Sequence, residues 1–214
     1  MGTRKITPYG RETAAVIARD LAFQGFTIVS GLAMGVDAAA HAAALDAHGA
    51  TIAVLGSGID LITPITNQLL GERILREGGL IISEYPTGQP AGKYTFPARN
   101  RIISGLSLGT VVLEADARSG ALITAECALD QNRDVFAVPG NIFAPRSRGP
   151  NRLLQQGAKI VLSAQDIISE YITPVALPGL STKNLSTRNP LEQQILAILK
   201  DDGPTILDEI IRKA

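Results

Sequence analysis

Short apolar runs alternate with helical patterns along most of this chain. The runs predict six strands, at residues 26–30, 51–55, 80–83, 110–114, 135–138 and 158–162. Amphipathic or apolar stretches between them predict helices at residues 8–24, 35–47, 64–77, 97–108, 119–132 and 149–156. Strands that alternate with helices over short connections are typical of a mostly parallel sheet with helices on both faces. The pattern therefore predicts an α/β fold.

The start of the chain departs from this pattern. Residues 1–5 lead directly into the first predicted helix, which Thr7 is expected to cap and Pro8 to open. A domain of this class normally begins with a strand. The order of elements therefore predicts an empty central strand position and two exposed sheet edges.

The sequence changes in character after residue 172. Residues 173–189 carry prolines and polar side chains with little periodicity, which indicates a linker. Residues 190–214 predict two short helices joined by a tight turn, as at the start of a winged-helix module. About 25 residues are too few to fold alone. We therefore expect a first domain over residues 1–172, a linker, and a truncated winged-helix-like segment.

Composition narrows the class of protein. The chain has 214 residues, of which 45% are hydrophobic and 19% are charged, so it is neither disordered nor collagen-like. One cysteine excludes an internal disulfide framework, and two histidines with that cysteine are too few for a soft metal cluster. No apolar run has the length of a membrane span, and no secretory leader opens the chain. We expect a cytoplasmic protein without a membrane partner, a metal site or a cofactor.

The formal net charge is zero, but the charges are unevenly distributed. Residues 93–159 contain nine basic and five acidic side chains, while both flanking segments have an acidic surplus. A local basic site for an anion fits this distribution. Chance clustering on solvated helices fits it equally well.

The loop after the first predicted strand is rich in small residues. Ser30, Gly31, Gly35 and Asp37 lie where ligands bind in a parallel sheet, outside the carboxyl ends of the strands. Glycines that open a helix allow a phosphate to approach the backbone closely. The alternative is ordinary strand-to-helix loop geometry. The turn at residues 56–58 matches only part of a dinucleotide fingerprint, and no P-loop motif occurs.

The strongest chemical signal lies between residues 93 and 107. Cations near a helix N-terminus oppose the helix dipole, so their presence there suggests a bound anion. Lys93 lies on the preceding loop, and Phe96 supplies an aromatic face, which suits a nucleotide with a paired phosphate and a stacked base. The alternative is a buried Phe96 with arginines that pair with Glu84 or Glu114. The candidate residues in this stretch are Lys93, Phe96, Arg99, Asn100, Arg101 and Ser104.

A second candidate anion site precedes the predicted helix at 119–132. The guanidinium of Arg118, the hydroxyl of Ser119 and the backbone N–H groups after Gly120 could hold another phosphate. Several carboxylates follow the strands, but their spacing specifies no acid–base pair. His41 is interpreted as an ordinary residue on a helix surface. The residues thus point to binding rather than catalysis.

Five ordered strings together resemble the DNA-processing protein A family, called DprA or Smf. They are GTRK with TPYG at residues 2–10, SGLAMGVDAAAH at 30–41, FPARNRIISGLS at 96–107, RSGALITA at 118–125 and VFAVPGN at 135–141. The resemblance covers residues 1–170 and implies an extended Rossmann-like domain. Thr3 stands where the family commonly has serine.

The resemblance implies a non-enzymatic binder of single-stranded DNA. Such a protein protects incoming strands during natural transformation, helps to load RecA recombinase and forms a homodimer. By the same resemblance, Arg4 in the first loop, Lys93, Phe96 as the stacking group, Arg99 and Arg101 would contact the DNA. The loop at residues 30–37, Asn100, Ser104 and residues 118–120 would line the pocket.

Two other functions remain as alternatives. One is a regulatory sensor of a small nucleotide, for which a mononucleotide would bind more tightly than an oligonucleotide. The other is a Rossmann-like nucleoside-monophosphate phosphoribohydrolase, whose Gly-Thr-x-x-Glu helix start is not matched at residues 118–126. Release of a base from a purine monophosphate would support that enzyme.

Overall fold

The computed structural model describes residues 1–172. The predicted linker at 173–189 and the predicted winged-helix-like segment at 190–214 lie outside the described residues. The helices are α1 (Pro8–Phe23), α2 (Val36–Asp46), α3 (Gln68–Arg76), α4 (Thr95–Gly105), α5 (Gly120–Asp130), α6 (Arg148–Gln155) and α7 (Ala164–Tyr171). The strands are β1 (Ile28–Ser30), β2 (Thr51–Val54), β3 (Leu80–Ile82), β4 (Gly109–Val112), β5 (Asp134–Ala137) and β6 (Lys159–Ile160).

The strands form two parallel half-sheets. One has the order β1-β2-β3 and the other has the order β4-β5-β6. Val29 pairs with Ile52 in the first half-sheet, and Val111 pairs with Phe136 in the second. All the paired strands are parallel, because each is followed by a helix that returns the chain to the same end of the sheet.

Helices cover both faces of the second half-sheet. Phe136 and Val138 alternate with Val135 and Ala137, so the two pairs point to opposite faces. The first pair belongs to a core shared with α1 and α7, and the second to a core shared with α5 and α6. A further core joins the first half-sheet to α2 and α3. The α/β architecture expected from the sequence is therefore confirmed.

The first residues of the chain run beside β4. The amino group of Met1 donates to the carbonyl oxygen of Val111 at 3.0 Å, and the N–H of Leu113 donates to the carbonyl oxygen of Met1 at 3.2 Å. Within residues 1–172, no strand pairs with both β1 and β4, so the two half-sheets are separate. Among the residues that the structure describes, β1 pairs with β2 alone and β4 pairs with β5 alone.

Helix α4 begins two residues earlier than the sequence pattern predicts. The hydroxyl of Thr95 accepts a hydrogen bond from the N–H of Gly92 at 2.8 Å, which closes the turn that starts the helix. Arg99 and Arg101 therefore lie in the second turn, and the dipole argument for a first-turn anion site applies to them less strongly.

None of the helices within residues 1–172 has both the length and the apolar character that a membrane span requires.

Candidate nucleic-acid interface

A pocket of about 510 Å³ opens at the carboxyl ends of the strands. Its wall comes from the first loop, the loop after β1, the start of α4 and the start of α5. A volume of this size is ordinary for a small-ligand site. The residues that line it are Met1, Gly2, Thr3, Arg4, Ala33, Asp37, Lys93, Phe96, Pro97, Arg99, Asn100, Ser119, Gly120 and Ala121.

An aromatic ring and two exposed cations form one side of this pocket. The guanidinium carbon of Arg4 lies 5.1 Å from the centroid of the Phe96 ring, within the range of a cation–π contact. The ring lies against Gly56, where a Cβ atom would come within 3.1 Å of it. Lys93 is exposed on the loop before α4. The small residue after β2 thus makes room for the ring, which is a structural use of the partial glycine fingerprint.

The N-terminus of α5 forms another side of the pocket. The hydroxyl of Ser119 caps this helix by accepting a bond from the N–H of Ala121 at 3.3 Å. The side-chain amide of Asn100 donates to the carbonyl oxygen of Gly120 at 3.2 Å and so ties α4 to α5. The positive end of the α5 dipole therefore faces the same space as Arg4 and Lys93.

Arg99 is held in the interior beneath the pocket. Its side chain donates to the carbonyl oxygen of Gly31 at 2.9 Å and also to that of Val54, and the residue is 4% exposed. Burial lowers the pKa of its guanidinium below the ordinary value, although the charge of Asp37 opposes that shift. Arg99 thus joins the loop after β1 to the end of β2.

Position 31 has room only for a glycine, because the buried side chain of Arg99 occupies the space beside it. A Cβ atom on Gly31 would come within 2.6 Å of the Arg99 guanidinium. The N–H of Gly31 donates to the carboxylate of Asp37 at 3.2 Å. The N–H and C=O groups of Gly31 therefore both have partners inside the protein, and ordinary loop packing explains why a glycine stands at this position.

Gly35 fixes the position of the first loop. Its φ is +86°, and a Cβ atom there would come within 2.2 Å of the carbonyl oxygen of Thr3. The next residue, Val36, donates its N–H to that same oxygen at 3.2 Å. Because Thr3 precedes Arg4, this contact places the Arg4 side chain near Phe96.

The structure brings together eight of the fourteen residues proposed from the sequence. Those eight are Arg4, Asp37, Lys93, Phe96, Arg99, Asn100, Ser119 and Gly120. The other six, which do not line this pocket, are Ser30, Gly31, Gly35, Arg101, Ser104 and Arg118.

The residues outside the pocket have other surroundings. Ser30 lies at the end of β1, and its hydroxyl is 3.3 Å from the sulfur of Met1. Arg101 pairs with Glu84 at the surface, as one of the alternatives from the sequence suggested. Ser104 is fully buried and donates to the side-chain oxygen of Gln131 at 2.7 Å. Arg118 is exposed on the loop before α5.

Several parts of the pocket were not proposed from the sequence. Met1, Gly2, Thr3, Pro97 and Ala121 also line it, whereas Ala33, which lines it too, belongs to the loop at residues 30–37 that the resemblance implied. Small or apolar side chains such as these carry no chemical signal. Only the path of the folded backbone brings them to the site.

The interpretation of His41 as a surface residue is wrong. His41 is fully buried on α2, and its Nδ1 lies 2.7 Å from the hydroxyl of Thr51. That hydroxyl donates its one proton to the carbonyl oxygen of Ile28, so Nδ1 of His41 must carry the proton of the neutral ring. Burial lowers the pKa of His41 from 6.5 to about 4. Because α2 is apolar on most of its surface, the sequence pattern did not indicate which side of the helix faces β2, and His41 lies on that side.

The architecture and the site together define a Rossmann-like α/β protein with a nucleotide-sized pocket at the carboxyl edge of its sheet. Residues 1–172 match the family model described as DNA recombination-mediator protein A. The chain belongs to that family.

Similar proteins support the family assignment. Protein Smf of Escherichia coli is 48% identical over 168 residues, which are 78% of this chain and 45% of that protein. The X-ray structure of DNA processing protein A from Streptococcus pneumoniae has a TM-score of 0.75 at 45% identity, over 80% of this chain and 60% of that one. The corresponding Helicobacter pylori protein, whose structure concerns a single-stranded DNA binding mode, has a TM-score of 0.73 at 35% identity, over 79% and 77%. This chain spans about half the length of the curated relatives that it matches.

Proposed function

We propose that this chain binds single-stranded DNA at the pocket and catalyses no reaction on it. The observation that carries the proposal is the convergence of the Phe96 ring, two exposed cations and the α5 N-terminus on one space. Aromatic faces accept any base, and cations pair with phosphates whatever the sequence, so such a site binds single strands without sequence preference. The relative from Helicobacter pylori, whose structure concerns single-stranded DNA binding, supports the same ligand.

The roles of the individual residues follow from their positions. A base that stacks on Phe96 takes the place now held by the Arg4 guanidinium, which moves to a phosphate. Lys93 pairs with a neighbouring phosphate from the loop before α4. A further phosphate lies at Ser119 and Gly120, where backbone N–H groups and the helix dipole favour an anion. Arg118, exposed on the same loop, and Arg101, once released from Glu84, extend the basic path.

A binding role also suits the carboxylate that lines the pocket. Asp37 accepts a hydrogen bond from the Gly31 N–H and lies beside the buried charge of Arg99. A carboxylate held in this way positions the loop rather than transferring protons.

The wider role follows from the family. We infer that the protein protects single strands and helps to load RecA recombinase on them, in natural transformation or general homologous recombination in the cytoplasm. We also infer that it acts as a homodimer. Light scattering of the purified protein tests the dimer, and a RecA filament assay on coated single strands tests loading.

The binding test uses fluorescence anisotropy of a labelled oligo-dT at two salt concentrations, with duplex DNA as competitor. We expect binding that weakens with salt and that duplex DNA does not displace, because the site needs unstacked bases. A folded protein that binds a mononucleotide more tightly than the oligonucleotide would instead support a nucleotide sensor.

Two variants separate the stacking and charge contributions. Phe96→Ala should weaken binding by about 1–3 kcal/mol, roughly 5- to 150-fold, with little change in the salt slope. Lys93→Ala should weaken binding and lower the salt slope by about one phosphate contact. The matched controls are Phe23→Ala and Arg76→Ala, which remove an exposed aromatic ring and an exposed cation outside the pocket. If the pocket variants bind like these controls, the site assignment is refuted.

A further inference from the structure

The loop that follows β5 presents two large apolar side chains to solvent. Residues 138–147 are called the β5 loop below; within it, Ile142 is 75% exposed and Phe143 is 85% exposed. Tyr9 of α1 adds an exposed ring beside the same loop, because its hydroxyl donates to the carbonyl oxygen of Pro139 at 3.3 Å. Single exposed apolar residues are ordinary, but a group with two aromatic rings indicates a surface that binds a ligand.

Two asparagine side chains hold the backbone of the β5 loop in place. Asn151 on α6 donates its side-chain amide to the carbonyl oxygen of Gly140 at 3.0 Å, and its side-chain oxygen accepts from the N–H of Gly140 at 3.1 Å. The side-chain oxygen of Asn141 accepts from the N–H of Phe143 at 2.9 Å. A loop that is fixed in this way presents its aromatic ring to a ligand at little further cost in conformational entropy.

The β5 loop is continuous with the nucleotide-sized pocket along the carboxyl edge of the sheet. The N–H of Ala115 donates to the carbonyl oxygen of Arg146 at 2.7 Å, so the loops after β4 and β5 are in contact. Ser119, which lines the pocket, follows Ala115 by four residues, and a chain of that length spans at most about 14 Å. The two surfaces are therefore near enough for one strand of a few nucleotides to reach both.

The side of the pocket towards the β5 loop is basic at its surface. Three arginines lie in the loop before α5 and in the segment that leads into α6, and none of them forms an ion pair within residues 1–172. These arginines are Arg118, Arg146 and Arg148. Of the two carboxylates in the loop after β4, Glu114 is buried and accepts from the N–H of Thr7, which leaves Asp116 as the exposed one.

The loops after β2 and β3, on the other side of the pocket, have the opposite charge. Residues 55–67 and 83–92 contain two carboxylates and neither lysine nor arginine. Glu84 pairs with Arg101, whereas Asp60 is exposed and accepts from the N–H of Gly88 at 2.9 Å. A chain of phosphates that leaves the pocket is thus attracted towards the β5 loop and disfavoured on the other side.

We propose that the β5 loop is a second stacking site for the same single strand, an inference that rests on the proposed function of the pocket. One base stacks on Phe96, the strand crosses the loop after β4 past Arg118, and a later base stacks on Phe143. Arg146 and Arg148 pair with phosphates on this part of the strand. Because aromatic faces accept every base, the second site lengthens the contact with DNA without adding a sequence preference.

The test compares two labelled oligo-dT strands of about 4 and about 15 nucleotides, near the two ends of the range of site sizes known for single-strand-binding folds. Binding of each strand to the chain and its variants is measured by fluorescence anisotropy. Phe143→Ala should weaken binding of the longer strand roughly 5- to 150-fold and leave that of the shorter strand unchanged, because only the longer strand reaches the β5 loop. Arg146→Ala should lower the salt slope for the longer strand by about one phosphate contact. Equal loss at both lengths for Phe143→Ala would refute a second site.

Two other exposed aromatic residues provide matched controls. Phe23→Ala removes a ring at the end of α1, outside the pocket and the β5 loop, and should change the affinity for neither strand. Tyr94→Ala removes an exposed ring on the loop before α4. If Tyr94→Ala rather than Phe143→Ala weakened binding of the longer strand alone, the proposed direction of the strand would be refuted.

Failure of this inference differs from failure of the proposed function. If the unmodified chain binds neither strand, the proposed function fails and the second site fails with it. If Phe96→Ala weakens binding of both strands while Phe143→Ala and Arg146→Ala behave like Phe23→Ala, the pocket stands and the second site is refuted. Light scattering tests another occupant of the loop: a lower mass for Phe143→Ala than for the unmodified chain would assign the β5 loop to a second copy of this chain and overturn the proposal.

Discussion

Replacement of Arg99 by alanine tests whether this residue acts in the interior or at the DNA. The side chain donates to the carbonyl oxygens of Gly31 and Val54 and lies near the buried carboxylate of Asp37. Hydrogen bonds from a charged donor contribute about 1.5–3 kcal/mol each, and removal of one partner from a buried pair costs about 3–5 kcal/mol. Because these contributions overlap, we expect Arg99→Ala to lower the free energy of unfolding by about 3–5 kcal/mol.

Arg101 provides a matched control on the same helix. Its side chain is 56% exposed and pairs with Glu84 at the surface. Exposed ion pairs contribute about 0–1 kcal/mol, so Arg101→Ala should lower the free energy of unfolding by less than about 1 kcal/mol. Arg99→Lys should give an intermediate loss, because one ammonium group lacks the fork that reaches two carbonyl oxygens.

The assay is urea denaturation followed by circular dichroism, with linear extrapolation to water. The loss for Arg99→Ala should appear as a lower midpoint with an unchanged slope. If Arg99→Ala and Arg101→Ala lowered the free energy of unfolding equally, by less than about 1 kcal/mol, the structural role of Arg99 would be refuted. A strong loss of DNA binding at unchanged stability would place Arg99 at the ligand instead.

Three further predictions concern stability. The pKa of His41 is about 4 in the folded protein, below the ordinary 6.5, so His41 takes up a proton at higher pH in the unfolded chain than in the folded one. The free energy of unfolding should therefore be highest above pH 6.5 and fall by roughly 3 kcal/mol towards pH 4. When urea midpoints are compared across pH, this loss should be absent in His41→Gln and retained in His48→Gln. Gly35→Ala should lower the melting temperature clearly more than Gly78→Ala, because both have positive φ but only the Cβ at 35 meets backbone atoms; equal shifts would contradict this. Thr7→Ala removes the cap of α1 and should cost about 1–2 kcal/mol in urea denaturation, whereas Thr7→Ser should cost less than half as much.

The sequence predicted the class of fold and the approximate location of each element. Alternation of apolar runs with helical patterns is a local property of the sequence, so it can be recognised without knowledge of the tertiary contacts. The cap at Thr7 with Pro8 was predicted in the same way and is present in α1. The bounds were less accurate. The predicted strand at residues 26–30 is ordered as a strand only from Ile28 to Ser30, because pairing with β2 begins there.

The candidate site was predicted by residue type but not by orientation. Phe96 and Lys93 were proposed from their chemistry and Arg4 from the resemblance to the family, and the fold brings all three to one pocket. The glycine loop after β1 was also proposed as a phosphate site, with ordinary loop geometry as the alternative. Its glycines prove to fit an arginine side chain and the backbone of the first loop.

The sequence by itself determined the order of elements, the apolar faces of the helices and strands, and the presence of basic and aromatic residues near α4. Only the tertiary structure decided which of those residues face the ligand. Arg99 and Arg101 are two positions apart, so the helix turns them about 200° from each other. One therefore points at the carbonyl oxygens of Gly31 and Val54, and the other points at Glu84 on the surface. Which arginine became structural depended on the start of α4 at Thr95 and on the strand ends packed beneath it, and neither is encoded within the local motif.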